Sequence, residues 1–221
     1  MKFDDDSNEP VHSDFQPRLR CAKTRRKSNP MIKELTELTR RLRQHFTSCE
    51  GQMRCFYTHA SQVEGWFKGE LMYFLDQEKR LGGLFDMERE KLVKVGDKRI
   101  SVDFLLHLKD VNSDNLCWVE IKHWHIGMQN GIDYGSGWYF KTESHSACVR
   151  CDIEKLSTIP GNAARTMLIL NTKNPGAQDW NSGVKTFNKK FAPLHVRSLT
   201  TPDDYPDYFF LGLLHATTER T

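Results

Sequence analysis

The sequence predicts an α/β fold, in which a β-sheet packs against helices, and three patterns support that prediction. Apolar residues recur at helical spacing from Ile32 to Phe46 and again from Val63 to Phe74. Apolar and polar residues then alternate over 100–107 with the two-residue period of a strand. Helices followed by strands with short connections indicate a layered domain.

Composition places the chain among globular proteins of ordinary polarity. Its 221 residues are 38% hydrophobic and 28% charged, which is enough for one good core. No apolar run approaches the roughly 18–20 residues that a membrane span requires. The acidic start, MKFDDDSNEP, lacks the apolar segment of a secretory signal. We therefore expect an intracellular protein without a membrane partner, and the sequence does not distinguish cytoplasm from nucleus.

Residues 1–28 predict a disordered tail that is acidic and then basic. The net charge is only +3, yet six basic residues crowd between Arg18 and Lys27. Such a patch attracts a polyanion with an affinity that falls as salt rises. A solvated tail without a partner is an equal alternative. Residues 29–221 are expected to form a single domain.

Two helices are predicted ahead of the strands. SNP at 28–30 is a typical helix start, and this N-terminal helical extension ends near Ser48. SQVE at 61–64 is a capping box that begins the second helix and assigns Glu64 a structural role. Glu70 lies beside the apolar stripe of that helix, where a carboxylate is costly unless it is paired. It either reaches a basic neighbour or faces a cation or an active-site water.

Three strands follow and predict an antiparallel meander: FDMEREKLVKV, ISVDFLLHL and LCWVEIKHW. In the third strand Glu120 and Lys122 share one face, since residues two apart in a strand point the same way. In the second strand Asp103 is expected on the polar face. The apolar face is expected to hold Ile100, Val102, Phe104 and Leu106.

The glycine- and aromatic-rich segment over 127–140 is predicted to be a mobile loop. Tyr134 and Trp138 within it are candidate nucleic-acid-binding residues, because aromatic rings stack on bases. The alternative, which we favour, is that these rings pack over the edge of the core.

The remaining segments predict two helices and two strands. SHSACVRCDIEKLSTI and VKTFNKKFAPL predict helices, and ARTMLILN and YPDYFFLGLLHA predict buried strands. On the first helix, Arg150 and Lys155 either contact phosphates or solvate its outer face. His145, Cys148 and Cys151 have an H-x-x-C-x-x-C spacing, but a structural zinc site usually shows two close pairs. A metal site there would need a fourth ligand from elsewhere.

The strand pair supports a chemical hypothesis. If the second and third strands form a hairpin, pairing with residue sums of 223 or 225 sets Asp103 opposite Glu120 or Lys122. Directly opposed residues have Cβ atoms about 4.5–5.5 Å apart. Two carboxylates at that separation repel each other unless a cation lies between them. Mg²⁺ suits such a pair, and Lys122 could then orient an attacking water.

The order of these elements resembles the PD-(D/E)XK nuclease superfamily. The matching features are a helix with Glu70, a strand with Asp103, a strand with Glu120 and Lys122, and a following helix and strand, over about residues 61–171. The resemblance implies a restriction-endonuclease-like three-layer core with a central mixed β-sheet flanked by helices. It also implies Mg²⁺ or Mn²⁺ held by Asp103, Glu120 and the Ile121 carbonyl. Glu70 would be an auxiliary ligand or an acid that lies behind the ligands, and Lys122 the catalytic lysine.

The chain also departs from that family pattern. Val102 stands in place of the proline of the motif, and His123 and His125 have no assigned counterpart. The resemblance favours a metal-dependent nuclease, with DNA preferred over RNA as its partner. The alternatives are a non-catalytic nucleic-acid-binding or assembly module on the same fold, and an interaction protein with a surface Glu-Lys pair. A homodimer is compatible with this family, but nothing in the sequence marks a dimer surface.

Overall fold

A computed structural model describes residues 30–59, 62–83, 85–109, 115–129, 132–143 and 148–218. The predicted disordered tail over 1–28 lies outside these ranges. The architecture is three-layered, with a six-stranded mixed sheet between two groups of helices. No helix within the described ranges is both long and apolar enough to span a bilayer.

The helices are α1 (Pro30–Ser48), α2 (Glu50–His59), α3 (Glu64–Arg80), α4 (Ser136–Lys141), α5 (Val149–Thr158) and α6 (Ala177–Lys190). The strands are β1 (Phe85–Val95), β2 (Lys98–Leu108), β3 (Leu116–Trp124), β4 (Gly127–Gln129), β5 (Ile132–Tyr134), β6 (Ala164–Asn171), β7 (Leu194–Ser198) and β8 (Phe210–Thr218). A short 3-10 helix spans Pro202–Asp204.

The main sheet has the order β1-β2-β3-β6-β8-β7. The predicted antiparallel meander of β1, β2 and β3 is confirmed. β3 also pairs with β6 in parallel, which requires the crossover that α4 and α5 supply. β3 is therefore an inner strand of the sheet, paired on both sides.

Two hydrophobic cores lie on the two faces of the sheet. The first holds α1, α2 and α3 against residues such as Val119 and Ile121. The second holds α4, α5 and α6 against residues such as Trp118 and Trp124. Because Leu42 and Phe46 of α1 are fully buried in the first core, α1 belongs to the helical layer instead of extending from the domain.

The regular alternation of β2 breaks at Asp103. Val102 is buried in the second core, whereas Phe104, only two residues later, is buried in the first. The expectation of one continuous apolar face from Ile100 to Leu106 was therefore wrong. Opposite Asp103, Glu90 has a φ of 48°, and the paired residues of β1 and β2 skip this position. Such local distortions redirect a side chain without ending the strand.

Of the segment over 127–140, predicted to be a mobile loop, the described residues 127–129 and 132–140 are mostly helix and strand instead. They form the small β4-β5 ribbon and helix α4. The ring of Tyr139 stacks on Trp124 at 4.5 Å, and its hydroxyl donates to the His125 carbonyl at 2.7 Å. The Ser136 hydroxyl donates to Asp179 at 2.6 Å. These contacts join the segment to the second core.

Two helix boundaries, one helix and one strand also differ from the sequence prediction. α6 begins at Ala177, before the predicted start in VKTFNKKFAPL, and α2 and β7 had not been predicted. Val63 occupies the N-cap position of α3, so Ser61 is not its cap residue. Ser61 itself lies outside the described residues.

Two helical glycines provide a matched test of the packing. A Cβ on Gly183 would lie 2.3 Å from a ring carbon of the buried Phe140, whereas a Cβ on Gly69 would meet no atom within 4 Å. We expect Gly183→Ala to lower the free energy of unfolding by about 1–3 kcal/mol through overpacking. Gly69→Ala should raise it by about 0.5–1 kcal/mol through helix propensity. Urea denaturation measures both, and equal stabilities for the two variants would contradict the described contact.

Candidate active site

Seven charged side chains from α3, β2, β3 and α5 form one group on the sheet, which we call the carboxylate–lysine cluster. Its members are Glu64, Lys68, Asp103, Glu120, Lys122, Asp152 and Lys155. Ion pairs or electrostatic interactions connect every member to at least one other.

Glu120 is the most buried member of the cluster. It lies in the middle of β3 and is 2% exposed. The Lys155 ammonium lies 2.6 Å from Glu120 Oε1, but this ion pair is poorly directed, and Oε1 has no hydrogen-bond donor of acceptable geometry. Burial raises the pKa of Glu120 to about 7, and the nearby Asp103 and Asp152 charges add to the effect that Lys155 opposes.

Asp103 connects β2, β3 and α3. Its Oδ2 accepts a hydrogen bond from the Ile121 backbone N–H at 2.8 Å, just past the point where the paired residues of β2 and β3 end at Phe104 and Val119. Its Oδ1 lies 2.8 Å from Lys68 Nζ, which also lies 3.0 Å from Glu64 Oε1. The carboxylate is therefore held in one orientation next to Glu120.

Lys122 faces Asp152 across the interface between β3 and α5. The two side chains are 3.4 Å apart at Nζ and Oδ2, and Asp152 is almost completely buried. Burial raises the pKa of Asp152. For Lys122, burial opposes the charge, but Asp152 and three further carboxylates outweigh it and raise the pKa. Lys122 is therefore an ammonium ion at neutral pH.

The position of α5 is fixed by Arg165 of β6. Its guanidinium donates to the carbonyls of Leu156, Ile159 and Gly161, at the end of α5 and in the connection that follows. This clasp holds the end of α5 against the start of β6. It thereby also positions Asp152 and Lys155.

The structure brings Asp103, Glu120 and Lys122 together, as the sequence had suggested, but it does not bring Glu70 to them. Glu70 Oε1 lies 2.7 Å from His45 Nε2 of α1. On a helix Glu64 and Glu70 are about 120° apart around the axis. It is therefore Glu64, through Lys68, that α3 contributes to the cluster.

The predicted nucleic-acid-binding residues are dispersed. Tyr134 packs edge-on against Trp138 with ring centroids 5.1 Å apart. Arg150 is bonded to Glu154 at 2.7 Å and lies over the Phe191 ring. Lys155 points into the cluster instead of solvating the outer face of α5.

Sequence reasoning did not identify Glu64, Lys68 or Asp152 as site residues. Glu64 and Lys68 are four apart on α3, and Asp152 and Lys155 are three apart on α5, so each pair lies on one side of its helix. That spacing was the available signal. It is common on solvated helices, and only the contacts with β2 and β3 make it informative.

The chemistry of the donors fits a hard divalent cation. Within the described ranges no three His, Cys, Asp or Glu side chains are grouped closely enough to hold a metal. Mg²⁺, however, is usually bound through one or two carboxylates together with waters and substrate phosphates. Asp103 and the under-bonded Oε1 of Glu120 offer two such carboxylates.

The H-x-x-C-x-x-C spacing has only two of its three residues in the described ranges. The Cys148 and Cys151 sulfur atoms are 2.9 Å apart at the start of α5. His145 lies outside the described residues. The described residues therefore do not test whether these three side chains share a metal.

No family model matches this chain, and no curated protein or solved structure matches it either. The coarse fold class, a three-layer α/β arrangement with a mixed sheet, is observed directly. Function has to be inferred from the geometry of the cluster.

Burial of Glu120 predicts an unusual dependence of stability on pH. Because the folded-state pKa is about 7, above the ordinary value of 4.5, the folded protein retains a proton that the unfolded chain has released between these values. This carboxyl therefore lowers the free energy of unfolding as pH rises from about 4.5 to 7, by about 3 kcal/mol at most. Glu120→Gln should remove that decline.

The measurement is urea unfolding in EDTA at intervals from pH 4.5 to 8. Glu70→Gln, which removes a carboxylate outside the cluster, should keep the wild-type dependence. Parallel curves for Glu120→Gln and the wild type would show that Glu120 is not buried as described.

Proposed function

We propose that the protein is a metal-dependent nuclease of restriction-endonuclease-like fold that hydrolyses phosphodiester bonds, with DNA favoured over RNA. The observation that supports this most is the convergence of Asp103, Glu120 and Lys122 at one point of the sheet. Two acidic groups can hold a divalent ion that activates a water, and an ammonium group can stabilise the charge that builds up on the phosphate. The break in β2 at Asp103 makes that convergence possible.

Mg²⁺ or Mn²⁺ held by Asp103, Glu120 and the Ile121 carbonyl would lower the pKa of a bound water and neutralise charge on the phosphate. Lys122 is charged and fixed beside Asp152, so it can stabilise negative charge that builds up on the phosphate oxygens. Asp152 holds that ammonium in place. Asp103 is oriented by the Ile121 N–H.

Lys68 and Lys155 neutralise the two acidic groups in the structure described here. Each ammonium lies within 2.8 Å of a carboxylate oxygen. A divalent cation would compete with these lysines for the same oxygen atoms. Both lysines have flexible stems and would then be available to phosphate oxygens.

The same two ion pairs favour a second candidate, a non-catalytic nucleic-acid-binding or assembly module. The cluster contains four carboxylates and three ammonium groups, so protonation of Glu120 alone balances its charge without a metal. A structural role for the cluster would need nothing more. The two candidates differ in whether the cluster binds a divalent ion.

Cleavage assays test the proposed activity directly. Labelled DNA and RNA, single- and double-stranded, are incubated with Mg²⁺, Mn²⁺ or EDTA. We expect metal-dependent cleavage that Asp103→Ala, Glu120→Ala and Lys122→Ala each reduce by about 100-fold or more, because each removes a charge that acts on the transition state. Glu70→Ala should retain activity, since its carboxylate pairs with His45. Cleavage that persists in EDTA and in all three cluster variants would overturn the proposal.

Thermal unfolding separates the two candidates without relying on activity. A ligand present at 100 times its dissociation constant stabilises a folded protein by about 2.7 kcal/mol. For a nuclease we expect the melting temperature at pH 8 to rise with Mn²⁺ or Mg²⁺, and Asp103→Asn or Glu120→Gln to abolish the rise. Glu70→Gln, the matched control, should keep it. No rise in the wild-type protein favours the non-catalytic module.

A further inference from the structure

A two-stranded ribbon projects from the sheet next to the cluster. We call it the hairpin arm: residues 91–95 of β1, residues 98–102 of β2 and the turn at Gly96 and Asp97. The paired residues of β2 and β3 end at Phe104, so beyond that point the described partner of β2 is β1. A positive φ of 59° at Gly96 allows the tight turn.

The two faces of the hairpin arm differ in chemistry. Val93 and Ile100 are partly buried against the second core, and Val102 is completely buried. The other face points away from that core. It is formed by Leu92, Lys94, Arg99 and Ser101, and all four residues are exposed.

Lys94 and Arg99 are directly opposed across the ribbon. Like charges in opposed positions destabilise a strand pair. Within the described ranges, neither side chain makes an ion pair that would offset this repulsion. Leu92, the next residue along that face, is 62% exposed. A face of this composition is suited to an anionic partner that also offers apolar contact.

The hairpin arm and the residues just before it carry an excess of basic charge. Between Arg89 and Ser101 there are five basic residues and two acidic residues, an excess equal to the +3 of the whole protein. The basic face also lies next to the cluster, since Arg99 and Ser101 precede Asp103 along β2 and the Ser101 carbonyl accepts a hydrogen bond from Lys155 of the cluster at 3.2 Å. Four residues of strand span about 13 Å. That length corresponds to about four nucleotides of one DNA strand.

We propose that the outward face of the hairpin arm binds duplex DNA, with Lys94 and Arg99 against the phosphates. The inference rests on the proposed nuclease function and names its substrate class. The major groove of B-form DNA is about 12 Å wide and admits a two-stranded β-ribbon, whereas the major groove of A-form RNA is too deep and narrow. Charge and shape together select duplex DNA over duplex RNA and single strands.

The test is fluorescence anisotropy with a labelled 20-base-pair DNA duplex, in EDTA so that no cleavage occurs. We expect Lys94→Gln with Arg99→Gln to weaken binding about tenfold at 50 mM salt, and to reduce the slope of log affinity against log salt by about 2. The matched control is Lys185→Gln with Lys189→Gln. This control removes two exposed lysines from α6, which packs on the second core, on the side of the sheet away from the outward face of the hairpin arm. It should leave the affinity for DNA within about twofold of the wild-type value.

Several outcomes overturn the proposal. They are equal losses in the two double variants, no binding by the wild-type protein at 50 mM salt, and tighter binding to an RNA duplex or a single DNA strand of the same length. Equal losses in the two double variants would mean that Lys94 has no special part in binding DNA. Its role would then be that of a charged residue on an edge strand, where lysine opposes aggregation. If the double variant does not fold by circular dichroism, Arg99→Gln alone is measured instead, with Lys189→Gln as its control. Binding without cleavage in Mg²⁺ would remove the proposed activity and leave this inference standing.

Discussion

The burial of one carboxylate in the middle of the sheet is the constraint on which the rest of the site depends. Glu120 lies in β3, paired with Met167 of β6 and just past the last residue pair of β2 and β3, and it is almost completely buried. A buried charge is costly unless compensating groups surround it. The domain supplies them from α5, as Lys155, and the ordinary alternation of a strand places Lys122 beside it. The buried Glu120 carboxylate therefore determines which charged side chains α5 and β3 must place next to it.

The break in β2 is the second determinant of the site. In a regular strand, Val102 and Phe104 would share one face of the sheet and Asp103 would point to the opposite face. Because Val102 and Phe104 enter opposite cores, the carboxylate at 103 is free to bond the Ile121 N–H and contact Lys68. A local departure from regular structure thus converts two ordinary strands into a polar site with apolar cores above and below.

Periodicity predicted much of the fold and failed where burial is slight. α2 buries only Met53 and β7 only Val196, so neither carries an apolar pattern that a sequence can reveal. The site was predicted in part, since residues two apart on a strand share a face. Glu70 was preferred to Glu64 because the capping-box pattern gave Glu64 a structural role and because Glu70 lay beside a buried stripe that was taken to end at Phe74. The stripe actually includes Leu75, and that rotation turns Glu64 toward the sheet.

The clasp between Arg165 and the end of α5 has a consequence for how this domain can vary. The guanidinium bonds three carbonyls across the α5–β6 connection, so the length of that connection is tied to the helical phase of Asp152 and Lys155. One residue gained or lost within α5 would rotate these side chains by about 100°. Natural variants of this chain should therefore accumulate length changes in other surface connections and conserve the spacing between Asp152 and Arg165.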